Sequence, residues 1–375
     1  MNATMYAAER PARARTRSAA YTVTLFAIAA GAALAVSAAL VAATHGSSSA
    51  VFTSMYNGSV NGWASFGSTL DSAAPLLIVA IGTIISVRAG QLNIGQEGQV
   101  MMGALAGALV AIRIHGPGPV VLVLTLVAAA AGGAIWAGIA ALLRFRRGVD
   151  IVISSLLLVF VAGQLLAYAL NNVWIIQEHG STAQRLPESD QISSHVRLPR
   201  FGHSPNFNVG TAFVLAVGLA LVVGFLLARS RWGFRLRILG LNPVAAHRAG
   251  ISAALVGGTA IVLSGAFAGL AGGVMLTGSA YRLSPAFANN VGWTGLLVAL
   301  VARNDAGAAI ATALLFGALA AGGSFLSTAG PPTDFVSIVQ ALVVLGVVFP
   351  PAFLHLRRIQ RDRAAARAIA IGVAA

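Results

Sequence analysis

The sequence contains no cysteine and no lysine. Without cysteine there are no disulfides and no thiolate metal sites, and the count says nothing about redox compartment. Charge is also scarce: 9% of the 375 residues are charged, against about 25% in an average soluble domain. A surface so poor in charge cannot be kept in water, so the chain is read as living in lipid. Hydrophobic residues make up 57%, and mean hydropathy is +0.83. The net charge of +14 could suit a nucleic-acid binder. However, all 24 basic residues are arginine and they gather at the ends of apolar runs, as membrane topology requires. No nucleic-acid partner is expected. Ser/His/Asp groupings, H-E-x-x-H and paired carboxylates are also missing, which argues against an integral-membrane enzyme. Five of the seven histidines fall in outside loops (45, 115, 179, 195 and 203) with no ligand spacing, so no metal site is expected.

What is present is a series of apolar runs near the roughly 20 residues that cross hydrocarbon. They predict an all-α integral membrane fold of about ten spans: 19–43, 69–88, 97–113, 119–143, 150–170, 209–229, 252–277, 290–303, 307–326 and 335–354. The third and eighth are short. The basic stretch "RPARARTR" precedes the first run, but that run exceeds the 7–15 residues or so of a signal peptide and reads as a retained span. Glycine is abundant, with 42 in the chain. Gly265, Gly269 and Gly273 form one four-residue stripe and Gly103 and Gly107 another, both read as helix packing.

Arginine placement sets the orientation. With an even number of spans, 19 of the 24 arginines fall on the side shared by both termini. The positive-inside rule then predicts cytoplasmic tails at 1–18 and 355–375 around a 19–354 membrane domain in a cytoplasmic (plasma) membrane. Two loops lie outside, 44–68 and 171–208. One large loop lies inside, 230–251, where "NPVAAHRAG" reads as a short helix with Asn242 as N-cap, Pro243 at the first position and Gly250 as the stop.

A weak internal repeat is visible. "LNIGQEGQVMMGALAGALVAI" follows the second span and "FANNVGWTGLLVALVARNDAG" follows the seventh, each placing Asn and Gly before a short apolar helix. The two preceding spans run in opposite directions, so spans 2–5 and 7–10 are expected to be inverted copies. Such repeats put a substrate path at their interface, often with interrupted helices.

Three words carry a family resemblance. "NIGQEGQ" resembles the "FNIG-x-EGQ" word of bacterial ABC-importer permeases of the simple-sugar and nucleoside group, within the branched-chain amino acid and ribose permease family. Leu92 stands where that family usually has Phe. "WGFRLRILGLNPVAAHRAGI" is similar to its cytoplasmic coupling loop, although His247 and Arg248 replace a more typical pair. "GWTGLLVALVARNDAGAAIATALLFGAL" resembles a third shared segment. Together they cover about residues 70–350, and the long 171–208 loop resembles the larger of two paired nucleoside permeases. The resemblance implies alternating access driven by ATP on a separate ATPase subunit. It also implies a second, related permease (or an identical copy) and an extracytoplasmic substrate-binding protein. This chain has no G-x-x-x-x-G-K-[ST] loop. No cofactor is expected on it, ATP and magnesium belonging to the partner. The coupling contact would involve Gly233, Arg235, Arg237, Gly240, Asn242, Pro243, Ala245, Ala246 and Gly250.

Path candidates follow with their structural alternatives. Glu97 lines the path or pairs with Arg88. Asn93, Gln96 and Gln99 offer neutral donors and acceptors to a sugar or base, or cap the third span. Asn289, Asn290 and Trp293 hold the pseudo-equivalent place, where Trp293 stacks on a nucleobase or sits in the interface belt. Gln164 and Gln340 are cavity groups or interhelical hydrogen bonds. Asp71, Asp150 and Asp334 read as N-caps, and Asp305 as a loop partner of Arg303. An ion-coupled secondary transporter is the alternative reading, but the acids sit at span ends and not deep inside.

Overall fold

In a computed structural model, the described residues are 48–178, 187–204, 207–328 and residue 341. The first span, all but one residue of the tenth, both tails, Asp334 and Gln340 lie outside them. The chain divides into two units, Met1–Met55 with Gly323–Ala375 and Tyr56–Gly322. In the first, residues 48–55 and 323–328 are helical.

The elements in chain order begin with α1 (Ser48–Ser59), α2 (Trp63–Arg88), α3 (Gln96–Arg113), α4 (Gly118–Arg147) and α5 (Ile151–Leu170). An antiparallel hairpin follows, β1 (Arg200–Ser204) and β2 (Phe207–Gly210). Then come α6 (Ala212–Arg229), α7 (Arg231–Leu241), α8 (Pro243–Arg248), α9 (Ala253–Met275) with a π-helical turn (Leu276–Ala280), α10 (Val291–Val301) and α11 (Ala306–Thr328). Among the described residues, six helices are long and apolar enough to cross a membrane: α2, α4, α5, α6, α9 with its π turn, and α11. The two short expected spans coincide with α3 and α10. At 1.5 Å per residue α10 is only ~16 Å long, about half of a ~30 Å hydrocarbon core.

Helix α2 is the central element. Nearly every residue from Ala73 to Ser86 is buried. Around it, small residues let backbones meet. A methyl group on Gly103 would collide with Gly269, one on Gly269 with the Ala129 carbonyl, and one on Gly133 with the Gly265 carbonyl. The two predicted stripes therefore do pack helices, joining α3, α4 and α9. Gly133 is the third member, and spacing alone did not single it out. Large side chains face away from these contacts: Ile135 on α4, Phe160 on α5 and Phe225 on α6 are all exposed, as lipid-facing groups are.

Several local expectations are met and others corrected. Asp150 caps α5, accepting from the Val152 N–H at 2.8 Å. Asp71 is not a cap, because α2 continues outward through the polar turn to Trp63 and leaves Asp71 two turns inside. Asp305 does not serve Arg303. It accepts from the Ala308 N–H at 2.8 Å and caps α11. The 44–68 segment is not simply loop, since α1 and the first turns of α2 occupy it. The 171–208 loop contains most of the hairpin and lies on the segment after α9. Ser189 N–H donates to the Leu283 carbonyl (3.0 Å), Ile192 to Tyr281 (2.9 Å) and Leu198 to Thr277 (2.9 Å).

Candidate functional site

After Arg88 the chain turns at Gly90 (φ 72°) and re-enters the bundle to start α3 at Gln96. Asn93 directs the turn, its Oδ1 accepting from the Gly95 N–H at 3.1 Å. The chain passes close to α5 here. A methyl on Gly95 would lie 2.7 Å from the Ser155 carbonyl oxygen, which is why glycine stands there.

The polar residues of this turn are spent on one another. Asn93 Nδ2 donates to Gln99 Oε1 (2.9 Å) and to Ser264 Oγ (3.1 Å), and Gln99 Nε2 returns a bond to Asn93 Oδ1 (3.1 Å). Gln96 Nε2 donates to Thr83 Oγ1 (2.7 Å) and Ser264 Oγ (3.2 Å). All five side chains are buried. A closed network of this kind fixes one arrangement, because any member removed leaves buried partners unsatisfied. Thr83 and Ser264 went unnoticed in the sequence. Their signal was a lone hydroxyl in the middle of an apolar run.

Glu97 is 5% exposed. Its carboxylate does not meet Arg88. Oε1 accepts from the Asn290 N–H (2.9 Å) and Oε2 from the Gly292 N–H (2.7 Å). The contact is tight: a methyl on Gly292 would collide with the Glu97 backbone. Glu97 thus sits in the first turn of α3 and at the start of α10 together. The carboxylate satisfies N–H groups at the start of α10 and also stands in the first turn of α3, so the positive dipole ends of both helices favour its charge. Charge-assisted bonds of this type are short and strong.

The far end of α10 is held as well. Arg88 donates through a guanidinium NH2 to the Asn304 carbonyl at 3.1 Å. Two pairs of non-glycine residues in the left-handed region bracket the helix: Asn289 (φ 39°) with Asn290 (63°), and Arg303 (55°) with Asn304 (58°). Asparagine tolerates this conformation; arginine rarely adopts it.

The remaining candidates lie elsewhere. Asn289 and Asn290 are exposed and Trp293 is half-buried one turn into α10. Gln164 is exposed on α5. The 230–251 segment forms two helices. Ser230 caps α7, a helix outside the expected elements, accepting from the Gly233 N–H at 3.0 Å. Asn242 caps α8, accepting from the Ala245 N–H at 3.0 Å, with Pro243 first and Gly250 at φ 73° after it. Ala246 is buried and Gly233 packs beneath α6, whereas Arg235, Arg237, Pro243 and Ala245 are exposed. Leu241 (80%) and Val244 (63%) are exposed apolar groups beside them.

At the opposite end of the bundle each described arginine has a task. Arg113 donates to the Trp174 and Ile175 carbonyls. Arg200 pairs with Asp71 (2.7 Å) and donates to the Gly278 carbonyl (2.9 Å). Burial draws its guanidinium down, but Asp71 and Tyr281 outweigh that and hold it above the ordinary arginine value. Arg197 lies over the Tyr281 ring at 4.3 Å. Arg282 bonds Glu188 at 2.7 Å, which raises its pKa. No group of three His, Asp or Glu among the described residues could hold a metal ion.

Residues 65–348 match the family model described as branched-chain amino acid transport system / permease component. The chain is 37% identical to the glucose ABC transporter permease protein TsgB13 of Haloferax volcanii, over 78% of each chain. It is 30% identical to the guanosine ABC transporter permease protein NupP of Bacillus subtilis, over 79% of this chain and 84% of the relative. It is also 30% identical to NupQ, a second guanosine permease from B. subtilis, over 66% of this chain and 78% of the relative. No solved structure matches. With three quarters of its length inside one family model and six described helices apolar enough to cross a membrane, the chain belongs to the permease-component family of branched-chain amino acid transport systems.

Proposed function

We propose that the chain is the membrane-spanning subunit of an ABC importer for an uncharged polar solute, a nucleoside or a simple sugar, worked by a separate ATPase subunit. The observation that carries this reading is the α7–α8 segment. A six-residue helix, capped at its start and stopped by glycine, presents Val244 to the open, and Leu241 at the end of α7 stands exposed just before it, among exposed arginines. An anchor for topology needs the arginines but not the cap or the apolar knobs. The substrate class rests on the relatives' names. The ATPase supplies ATP and magnesium. The long segment at the Arg200 end receives the substrate-binding protein, and a second permease completes the path, as the paired guanosine permeases suggest. The α8 end faces the cytoplasm of a bacterial cell, with both termini on that side.

An inverted repeat accounts for the packing. Helix α3 of the first set lies on α9 of the second, and α10 of the second lies on α2 of the first. The two long helices α2 and α9 cross where a methyl on Gly82 would stand 2.8 Å from the Ser264 carbonyl oxygen.

Reconstitution in vesicles tests the reading. Guanosine or glucose uptake should require the ATPase, ATP and binding protein, and survive collapse of the proton and sodium gradients. Val244→Asp or Ala246→Arg should leave the chain inserted but abolish uptake. Uptake by this chain alone on an ion gradient would establish the secondary-transporter reading instead.

A further inference from the structure

Helix α10 carries a combination of features that its packing alone does not require. It is too short to span. It begins and ends in paired left-handed residues, one of them an arginine, and backbone outliers of this kind concentrate at moving or functional parts. Opposite charges hold its two ends: the Glu97 carboxylate at the N-terminal N–H groups and the Arg88 guanidinium at the Asn304 carbonyl. Both signs complement the helix dipole. Asn304 Oδ1 is buried with no hydrogen-bond partner, so the turn that Arg88 grips is not itself saturated.

Arg88 also has a second neighbour through its backbone. A methyl on Gly240 would collide with the Arg88 carbonyl, and one on Gly90 would lie 3.2 Å from Gly240 Cα. Gly240 is the penultimate residue of α7, and α8 starts three residues later. The coupling segment therefore touches Arg88 backbone to backbone, with no side chain between them to absorb a displacement.

We propose that Arg88 is a positioning residue that carries movement of the α7–α8 segment to the C-terminal end of α10, while Glu97 holds the N-terminal end as the pivot. The inference rests on the importer reading above. Displacement of α7 shifts the Arg88 peptide. The guanidinium draws the 303–304 turn with it, and α10 swings about the 289–290 pair. The helix moved in this way carries Trp293 and follows the exposed Asn289 and Asn290.

The experiment uses the assembled complex of both permeases, ATPase and binding protein. In Arg88→Ala, ATP hydrolysis continues but solute imported per ATP falls by about tenfold, a typical inter-site coupling. Arg88→Lys, which keeps the charge, recovers part of it. Because the native chain has no cysteine, Leu300→Cys on α10 and Ile139→Cys on α4 report their separation through paired spin labels. That separation changes on ATP binding in the otherwise native chain and stays fixed in Arg88→Ala. An unchanged separation in the native background, or full import per ATP in Arg88→Ala, overturns the proposal while leaving the importer reading intact. If the native complex imports nothing with ATP, both readings fall together.

Discussion

One carboxylate at two helix starts makes Glu97 the most consequential single residue in the bundle. Its burial is tolerable because four favourable contributions meet there: two N–H donors and two dipole ends. Glu97→Ala leaves both N–H groups unmet, at about 1–3 kcal/mol each if they stay dry. Thermal unfolding of the detergent-solubilised chain should show that loss, and Glu97→Gln, which keeps one acceptor, should lose less. The two ion pairs at the other end differ in the same way. Arg282→Ala removes a half-exposed contact worth at most about 1 kcal/mol, whereas Arg200→Ala strands the more enclosed Asp71 and should cost more in the same assay. At this scale the sequence displayed most of the residues that form the buried network. "LNIGQEGQ" stood out because polar groups are expensive between apolar runs. It could not say whom they face. Asn93 and Gln99 pair six residues apart, but Ser264 lies 171 positions from Asn93 and Asn290 lies 193 from Glu97, and no local pattern carries such distances.

Elements were far more legible than partners. Apolar runs gave the described long helices closely, because hydrocarbon permits little else, except that α2 starts at Trp63 and not at the expected residue 69. The α8 helix was readable from its own cap, proline and glycine. Three features escaped. Helix α7 is mixed in character and lacks a span-length run. The hairpin is short and held from outside, β2 packing on α2 and Arg200 pairing with Asp71. The π turn follows α9 directly, with no side-chain cap between them. The glycine contacts give the clearest test of element packing. Gly269→Leu should wedge α3, α4 and α9 apart and abolish recovery of folded protein, read by size-exclusion chromatography. The same change at Gly163, which has open space around it, should be tolerated. Asn242→Ala removes the α8 cap at a cost of ~1 kcal/mol. It should weaken ATPase association in a pull-down without altering insertion.

For the molecule as a whole, arginine placement makes a topological prediction that the absence of cysteine renders easy to check. Val244→Cys should react with a membrane-impermeant maleimide only in inside-out vesicles, and Trp174→Cys, exposed at the Arg113 end, only in right-side-out ones. Labelling of both from one side would overturn the orientation.

The shortness of α10 bears on the barrier itself. A helix of ~16 Å leaves about half of a ~30 Å hydrocarbon thickness to be made up at its ends by other segments or by water. If water makes up that difference, the membrane voltage falls across a thinner layer there, and an ion lodged in it would feel a steeper field than in the bilayer at large. A neutral cargo feels none of it. Import of the uncharged solute proposed above would then be indifferent to the cell's electrical state, and import of a charged one would not.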